Sequence, residues 1–162
     1  LLPQLIENMG IYEKQSFSII HGDLCLSNIL YDRRNKIVRV IDPRGGFGRF
    51  DIYGDPRYDI AKLCHSLEGD YDFFVNQMFD LNVEDKSINL RIHNQDRHIA
   101  IKEVFHNRLL ENRADIYAQI KLIESLLFLS MVPLHSDRFL CQQAFLARGL
   151  EIFTAVATDN LS

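Results

Sequence analysis

Hydrophobic positions along this chain change rhythm several times, and each change marks an element. Leu2, Leu5, Ile6 and Met9 fall at helical spacing and Gly10 follows as a stop, which predicts a helix over Leu2–Met9. Short β-prone runs come next. Phe17–Ile20 predicts a strand, and Asn28–Tyr31 and Ile37–Ile41, separated by the polar run Asp32-Arg33-Arg34-Asn35-Lys36, predict a β-hairpin. Pro43–Gly54 holds four glycines, Gly45, Gly46, Gly48 and Gly54, and reads as a loop. Asp55-Pro56 then has the form of a helix start, with Asp as N-cap and Pro at the first helical position. Ile60, Leu63, Cys64 and Leu67 predict the buried face of that helix, and Gly69 ends it.

Strict alternation returns at Phe79, Leu81 and Val83 within Gln77–Val83, and at Ile88, Leu90 and Ile92 within Ser87–His93. A second hairpin turning at Glu84–Lys86 follows from it. The remainder reads as three helices: Arg97–Asn112, Arg113–Met131 with Ile116, Ile120, Ile123, Leu127 and Met131 along one face, and Asp137–Ala157. Two small hairpins ahead of a helical bundle predict an α+β, mostly α fold.

The length of 162 residues suits one domain or one lobe of a larger one, and a hydrophobic share of 47% supports a core. A net charge of -4 argues against a nucleic-acid partner, which favours a basic face. Cys25, Cys64 and Cys141 lie far apart with no CxxC pair, so neither a disulfide framework nor a zinc site is expected, and a reducing, cytoplasmic setting fits best. No membrane span is expected: Gln119, Lys121 and Glu124 interrupt the longest apolar stretch, Ile116–Val132. No signal peptide is evident. The first residue is Leu1 rather than Met, which reads as a piece of a longer protein.

The chemistry concentrates in His21-Gly22-Asp23-Leu24-Cys25-Leu26-Ser27-Asn28, a loop between a strand and a hairpin. Protein kinases carry His-Arg-Asp-Leu, three residues and Asn in their catalytic loop, where the Asp serves as base and the Asn reaches magnesium. The segment matches except that Gly22 replaces Arg. Asp42 follows the second strand of the hairpin, where the same template has its other metal-binding Asp. Magnesium prefers oxygen ligands, and Asn28 and Asp42 offer an amide carbonyl and a carboxylate. An acceptor hydroxyl is a weak nucleophile, and Asp23 can orient it and take its proton.

His21–Asn28, Ile41-Asp42 and Gly54-Asp55-Pro56-Arg57-Tyr58-Asp59-Ile60-Ala61 together resemble the aminoglycoside phosphotransferase and choline kinase family. The resemblance implies a protein-kinase-like fold and transfer of phosphate from ATP, with Mg2+, to a hydroxyl of a small molecule: a sugar, amino alcohol or aminoglycoside-like acceptor. It implies Asp23 as catalytic base, Asn28 and Asp42 as metal ligands, and His21 and Asp59 as structural braces of the catalytic loop. Its motifs cover roughly residues 1–70, and 71–162 then corresponds to the helical acceptor side.

Two departures stand out. Only twenty residues precede His21, and they hold neither a Gly-rich loop nor a strand lysine, Lys14 being too close to serve. The chain therefore reads as a C-terminal lobe whose nucleotide-clamping N-terminal lobe is missing, and the exposed cleft face predicts either self-association or poor solubility. Asp42-Pro43-Arg44-Gly45 stands in place of Asp-Phe-Gly, which makes Arg44 the candidate phosphate or substrate contact, with Arg49 and Arg57 near it in sequence. His65 and His93 read as surface or edge residues, and Tyr71, Phe73, Phe74 and Phe79 as packing. The alternative to an enzyme lobe is a non-catalytic interaction module, or the C-terminal domain of a multidomain sugar-nucleotide or capsule biosynthesis protein. A metal-dependent hydrolase is the third reading.

Overall fold

The computed structural model describes residues 2–13, 17–46, 48–85, 87–93, 98–110 and 116–160. Lys14, Lys86, Arg97 and the segment 111–115, where two expected helices meet, lie outside the described residues. The elements run α1 (Leu2–Asn8), β1 (Ser18–Ile19), β2 (Ile29–Asp32), β3 (Ile37–Val40), β4 (Tyr53–Gly54), α2 (Pro56–Leu67), α3 (Tyr71–Val75), β5 (Phe79–Glu84), β6 (Ser87–Ile92), α4 (Ile99–Phe105), α5 (Tyr117–Leu134) and α6 (Phe139–Asn160). This is the α+β, mostly α fold that the periodicity predicts.

Both hairpins form. In the first, Ile29 pairs with Val40 and Asp32 with Ile37. Its turn closes because the Asp32 carboxylate accepts the backbone N–H groups of Arg34 and Asn35, at 2.9 and 3.1 Å. In the second, Phe79 pairs with Ile92 and Glu84 with Ser87. Two elements were not legible in the pattern. One is β4, two residues long, which comes out of the Gly-rich loop to pair with β1 through Ser18–Gly54 and Ile19–Tyr53. The other is α3, a five-residue helix that seats Phe74 in the core.

Helices α5 and α6 pack on each other, and α2 packs on α5. The main core gathers Leu5, Phe74, Leu122, Phe128 and Phe145; a second cluster holds Ile60, Ala61, Cys64, Ile120 and Leu127. By length and composition alone α5, 18 residues at mean hydropathy 1.3, could cross a bilayer, contrary to the expectation from its charges. Here its Ile120, Leu122, Leu127 and Phe128 are buried against protein. Pro133 lies in its last turn, so the helix runs to Leu134, past the expected end at Met131.

The pattern understates α2. Leu63 and Leu67, expected in the core, are half-buried, whereas Arg57, Lys62, His65 and Ser66 are buried with Ile60, Ala61 and Cys64. The helix is enclosed on nearly every side, so its polar residues need internal partners. The Asp55 side chain caps it by accepting the Arg57 N–H at 2.9 Å. The Arg57 guanidinium pairs with Asp55 and donates to Gln119 Oε1 at 2.9 Å and to the Ile11 carbonyl at 3.1 Å. Gln119 in turn donates to the Met9 carbonyl at 2.7 Å. Arg57 therefore ties α2 and α5 to the turn that follows α1, and its guanidinium is fully committed there.

His65, expected at a surface or edge position, is fully buried between the rings of Tyr71 and Phe128, with centroids 4.4 and 4.1 Å away, and neither ring nitrogen has a hydrogen-bond partner among the described residues. Burial, with the Lys62 charge adding, pushes its pKa from 6.5 down to about 3. The folded ring stays neutral while the unfolded chain takes up a proton near pH 6.5. The stability tied to His65 is therefore present above pH 6.5 and is lost as pH falls toward 3, at about 1.4 kcal/mol per pH unit. His65→Phe should keep the ring stack and flatten that slope. Urea denaturation between pH 4 and pH 8 checks this; equal slopes in the two proteins would contradict it.

Candidate active site

The loop His21–Asn28 leaves β1, makes one 3-10 turn at Leu26–Asn28 and enters β2. Its entry is held by α2. Asp59, in the first turn of that helix, accepts the His21 N–H at 2.7 Å and the Gly22 N–H at 2.9 Å, one on each carboxylate oxygen. Gly22 adopts φ of +76°, and a Cβ added there would stand 2.9 Å from Arg44 Cβ. Both the left-handed backbone and the close approach of Arg44 therefore require glycine.

His21 bridges the loop to the far strand. Its Nε2 lies 3.0 Å from the Ile41 carbonyl, and its Nδ1 accepts the Asp23 N–H at 3.3 Å, which assigns the ring proton to Nε2. The His21 carbonyl accepts the Arg44 N–H at 2.9 Å, and the Asn28 carbonyl accepts the Ile41 N–H at 3.0 Å. These bonds bring the two ends of the β2–β3 hairpin, and with them Asp23, Asn28 and Asp42, to one edge of the molecule.

Asn28 donates its amide N–H to the Asp23 carbonyl at 2.9 Å and to Asp23 Oδ2 at 3.3 Å. Its own Oδ1 is thereby left as an oxygen donor. Asp42 is exposed, at φ of +57°, and its carboxylate has no partner among the described residues. An amide oxygen and an exposed carboxylate, brought to the same edge by the bond from the Ile41 N–H to the Asn28 carbonyl, form a hard-oxygen donor set that fits magnesium. Asp23 keeps its carboxylate 43% exposed, with Oδ1 held at 2.7 Å by Lys62 Nζ. Arg44 is exposed and reaches the Tyr58 hydroxyl at 3.4 Å. The tip of the loop is fixed as well: the Leu26 N–H donates to Ser66 Oγ at 3.1 Å, and Ser66 donates to Asp72. A cavity of about 280 Å³ opens there, lined by Leu26, Ser27, Ser66, Asp72, Phe73 and Lys102.

Of the residues singled out in the sequence, His21, Asp23, Asn28, Asp42, Arg44 and Asp59 come together at this edge, whereas Arg57 and His65 are committed to the core. Two contributors were missed. Lys62 sits three residues after Asp59, hence on the same face of α2, and that spacing was the available signal. Ser66, a further turn on, had none. Elsewhere, Cys64, Glu68 and Glu124 bring possible ligand atoms within 4.8 Å of one another. The cation's place there is taken by the Lys121 ammonium, 3.0 Å from Glu68 and in contact with Glu124. Burial opposes that charge, but Glu124 and Glu68 outweigh it and raise the lysine's pKa.

Residues 1–82 match the sequence model of a family described as the phosphotransferase enzyme family, a stretch that takes in the loop, the first hairpin and α2. No curated protein and no solved structure matches the chain.

Because Asp59 alone satisfies two backbone donors, Asp59→Ala should cost about 2–4 kcal/mol of stability and release the loop. Gly22→Ala should cost about 1–3 kcal/mol through backbone strain. Chemical denaturation measures both; values within error of the parent protein would contradict the bracing described here.

Proposed function

The chain belongs to the phosphotransferase enzyme family, and from that premise we propose that it carries the catalytic edge of an ATP- and Mg2+-dependent phosphotransferase acting on a small-molecule hydroxyl. The observation that carries this reading is the convergence of Asp23, Asn28 and Asp42 on one edge, with Asp59 locking the loop that presents them.

Each residue then has a role in chemistry that is mostly positioning and charge neutralisation. Asn28 Oδ1 and the Asp42 carboxylate would hold the metal, which would supply neutralisation of the nucleotide's phosphate charge. Asp23 orients the acceptor hydroxyl and takes its proton as the new O–P bond forms, while the bond from the γ-phosphorus to the bridging oxygen breaks and ADP leaves with that electron pair. Arg44, on the Asp42 side of the loop, meets the negative charge of the phosphate or of an anionic acceptor. The cavity beside Ser27 receives the acceptor: Ser27, Ser66 and Asp72 suit a ligand with several hydroxyls, and the Phe73 ring suits the apolar face of a sugar or amino alcohol.

The nucleotide base needs a cover that this edge does not itself supply. The surface around the site exposes Ile19, Leu30, Val38, Val40, Ile41, Ile52 and Tyr53. An apolar area of this kind suits a nucleotide-clamping lobe of the same parent protein. Three buried free cysteines, Cys25, Cys64 and Cys141, suit a reducing, cytoplasmic setting.

In the full-length protein, ATP-dependent transfer should be found with one member of a panel of sugars, sugar alcohols, amino alcohols and aminoglycosides. Asp23→Asn should then lower kcat about 100-fold or more. Phosphate release from ATP at the same rate with and without acceptor would point to a hydrolase instead. Transfer at full rate in the Asp23→Asn protein would contradict the assignment.

A further inference from the structure

Lysine has a place in this site that no motif predicts. The loop His21–Asn28 contains no lysine or arginine, so a cation at Asp23 has to come from another element. It comes from α2. Lys62 Nζ is 2.7 Å from Asp23 Oδ1, on a side chain only 9% exposed. The ammonium also stands 5.9 Å from the centroid of the Tyr71 ring. Asp59 and Lys62, one turn apart on the same face, therefore grip the same loop at two levels: Asp59 holds its backbone and Lys62 holds its carboxylate.

The geometry around Asp23 shows what that grip does. Oδ1 faces Lys62 and Oδ2 faces the amide of Asn28 at 3.3 Å. A carboxylate has about four lone-pair positions, so both oxygens keep room for an acceptor hydroxyl. Asn28, whose amide meets Asp23 Oδ2, and Asp42, which follows the Ile41 N–H bonded to the Asn28 carbonyl, supply the donor set that fits magnesium. A divalent cation prefers a carboxylate to an amide oxygen, and Asp23, 43% exposed, is close enough to Asn28 to be recruited as a further ligand if it can turn. A metal-bound Asp23 is a poorer proton acceptor, and its charge on the metal opposes the approach of phosphate.

We propose that Lys62 is a positioning residue of the transfer site, holding Asp23 toward the acceptor hydroxyl and off the metal carried by Asn28 and Asp42. This rests on the phosphotransferase reading of the edge. The same pairing explains how Lys62 is tolerated at its depth: Asp23 is its ion-pair partner, and a buried ammonium without one is strongly disfavoured.

The test is Mn2+ affinity of the full-length protein, read from the free-ion signal in electron paramagnetic resonance, alongside melting temperature. Lys62→Met should bind Mn2+ about tenfold more tightly, because one more carboxylate reaches the metal. Lys62→Arg should behave as the parent protein. Adding Asp23→Asn to Lys62→Met should return the affinity to the parent value. In the transfer assay, Lys62→Met should lower kcat and leave KM for the nucleotide unchanged. Unchanged or weaker Mn2+ binding in a normally melting Lys62→Met protein overturns the proposal. A second measurement needs no variant: in crystals of the parent protein soaked with Mn2+, Asp23 should remain on Lys62, and a bond from the metal to Asp23 overturns the proposal. Asp42→Asn separates the two levels of the account, since Mn2+ affinity unaffected by that change defeats the metal-site reading itself.

Discussion

Two hydrogen bonds organise this structure: the N–H groups of His21 and Gly22 donated to the two oxygens of Asp59. A carboxylate that accepts two backbone donors in a half-buried position fixes both the direction of the chain and its distance from the helix that carries the carboxylate. The helix itself cannot drift. Asp55 caps it, Arg57 ties its first turn to α5 and to the turn that follows α1, and Ile60, Ala61 and Cys64 seat it against α5. The position of Asp23 is thus inherited from the core through a short chain of charge-assisted contacts, which suits the base role proposed for it.

The β2–β3 hairpin performs the complementary task. Its side chains are largely exposed, so it contributes little to the core. What it supplies is a return path: four paired residues out and four back deliver Asp42 beside Asn28. His21 closes the circuit by bonding the Ile41 carbonyl while its other ring nitrogen accepts the Asp23 N–H. A surface hairpin of low intrinsic stability is thereby held at its open end by the same loop that it serves.

Much of this was legible in the sequence, for identifiable reasons. The first hairpin announced itself through two β-prone runs around the polar turn Asp32–Lys36, the second through alternation, α2 through Asp55-Pro56, and the candidate site through the order and spacing of His21, Asp23, Asn28, Asp42 and Asp59. Periodicity failed where short elements depend on long-range partners. β4 exists only because Tyr53 and Gly54 meet β1, and α3 because Phe74 has a core to fill. It also understated the burial of α2, whose start and length it gave, because that helix is enclosed on nearly every side and its polar residues Arg57, Lys62, His65 and Ser66 are buried. His65 was expected at a surface or edge position of its helix, although two aromatic rings enclose it. Lys62 and Ser66 were passed over because polar residues on a helix are ordinarily solvated; their partners, Asp23 and the Leu26 N–H, lie about 40 residues away in sequence.

The central claim is that Asn28 and Asp42, with Asp23 beside them, form the metal-holding edge of a transfer site. Its most direct measurement is paramagnetic broadening of backbone resonances in the isotopically labelled protein at low substoichiometric Mn2+. The account predicts that the amides of Asp23, Asn28 and Asp42 broaden first and together. Broadening that begins at Glu68 and Glu124, or spreads evenly over exposed acidic residues while this edge stays sharp, would contradict it.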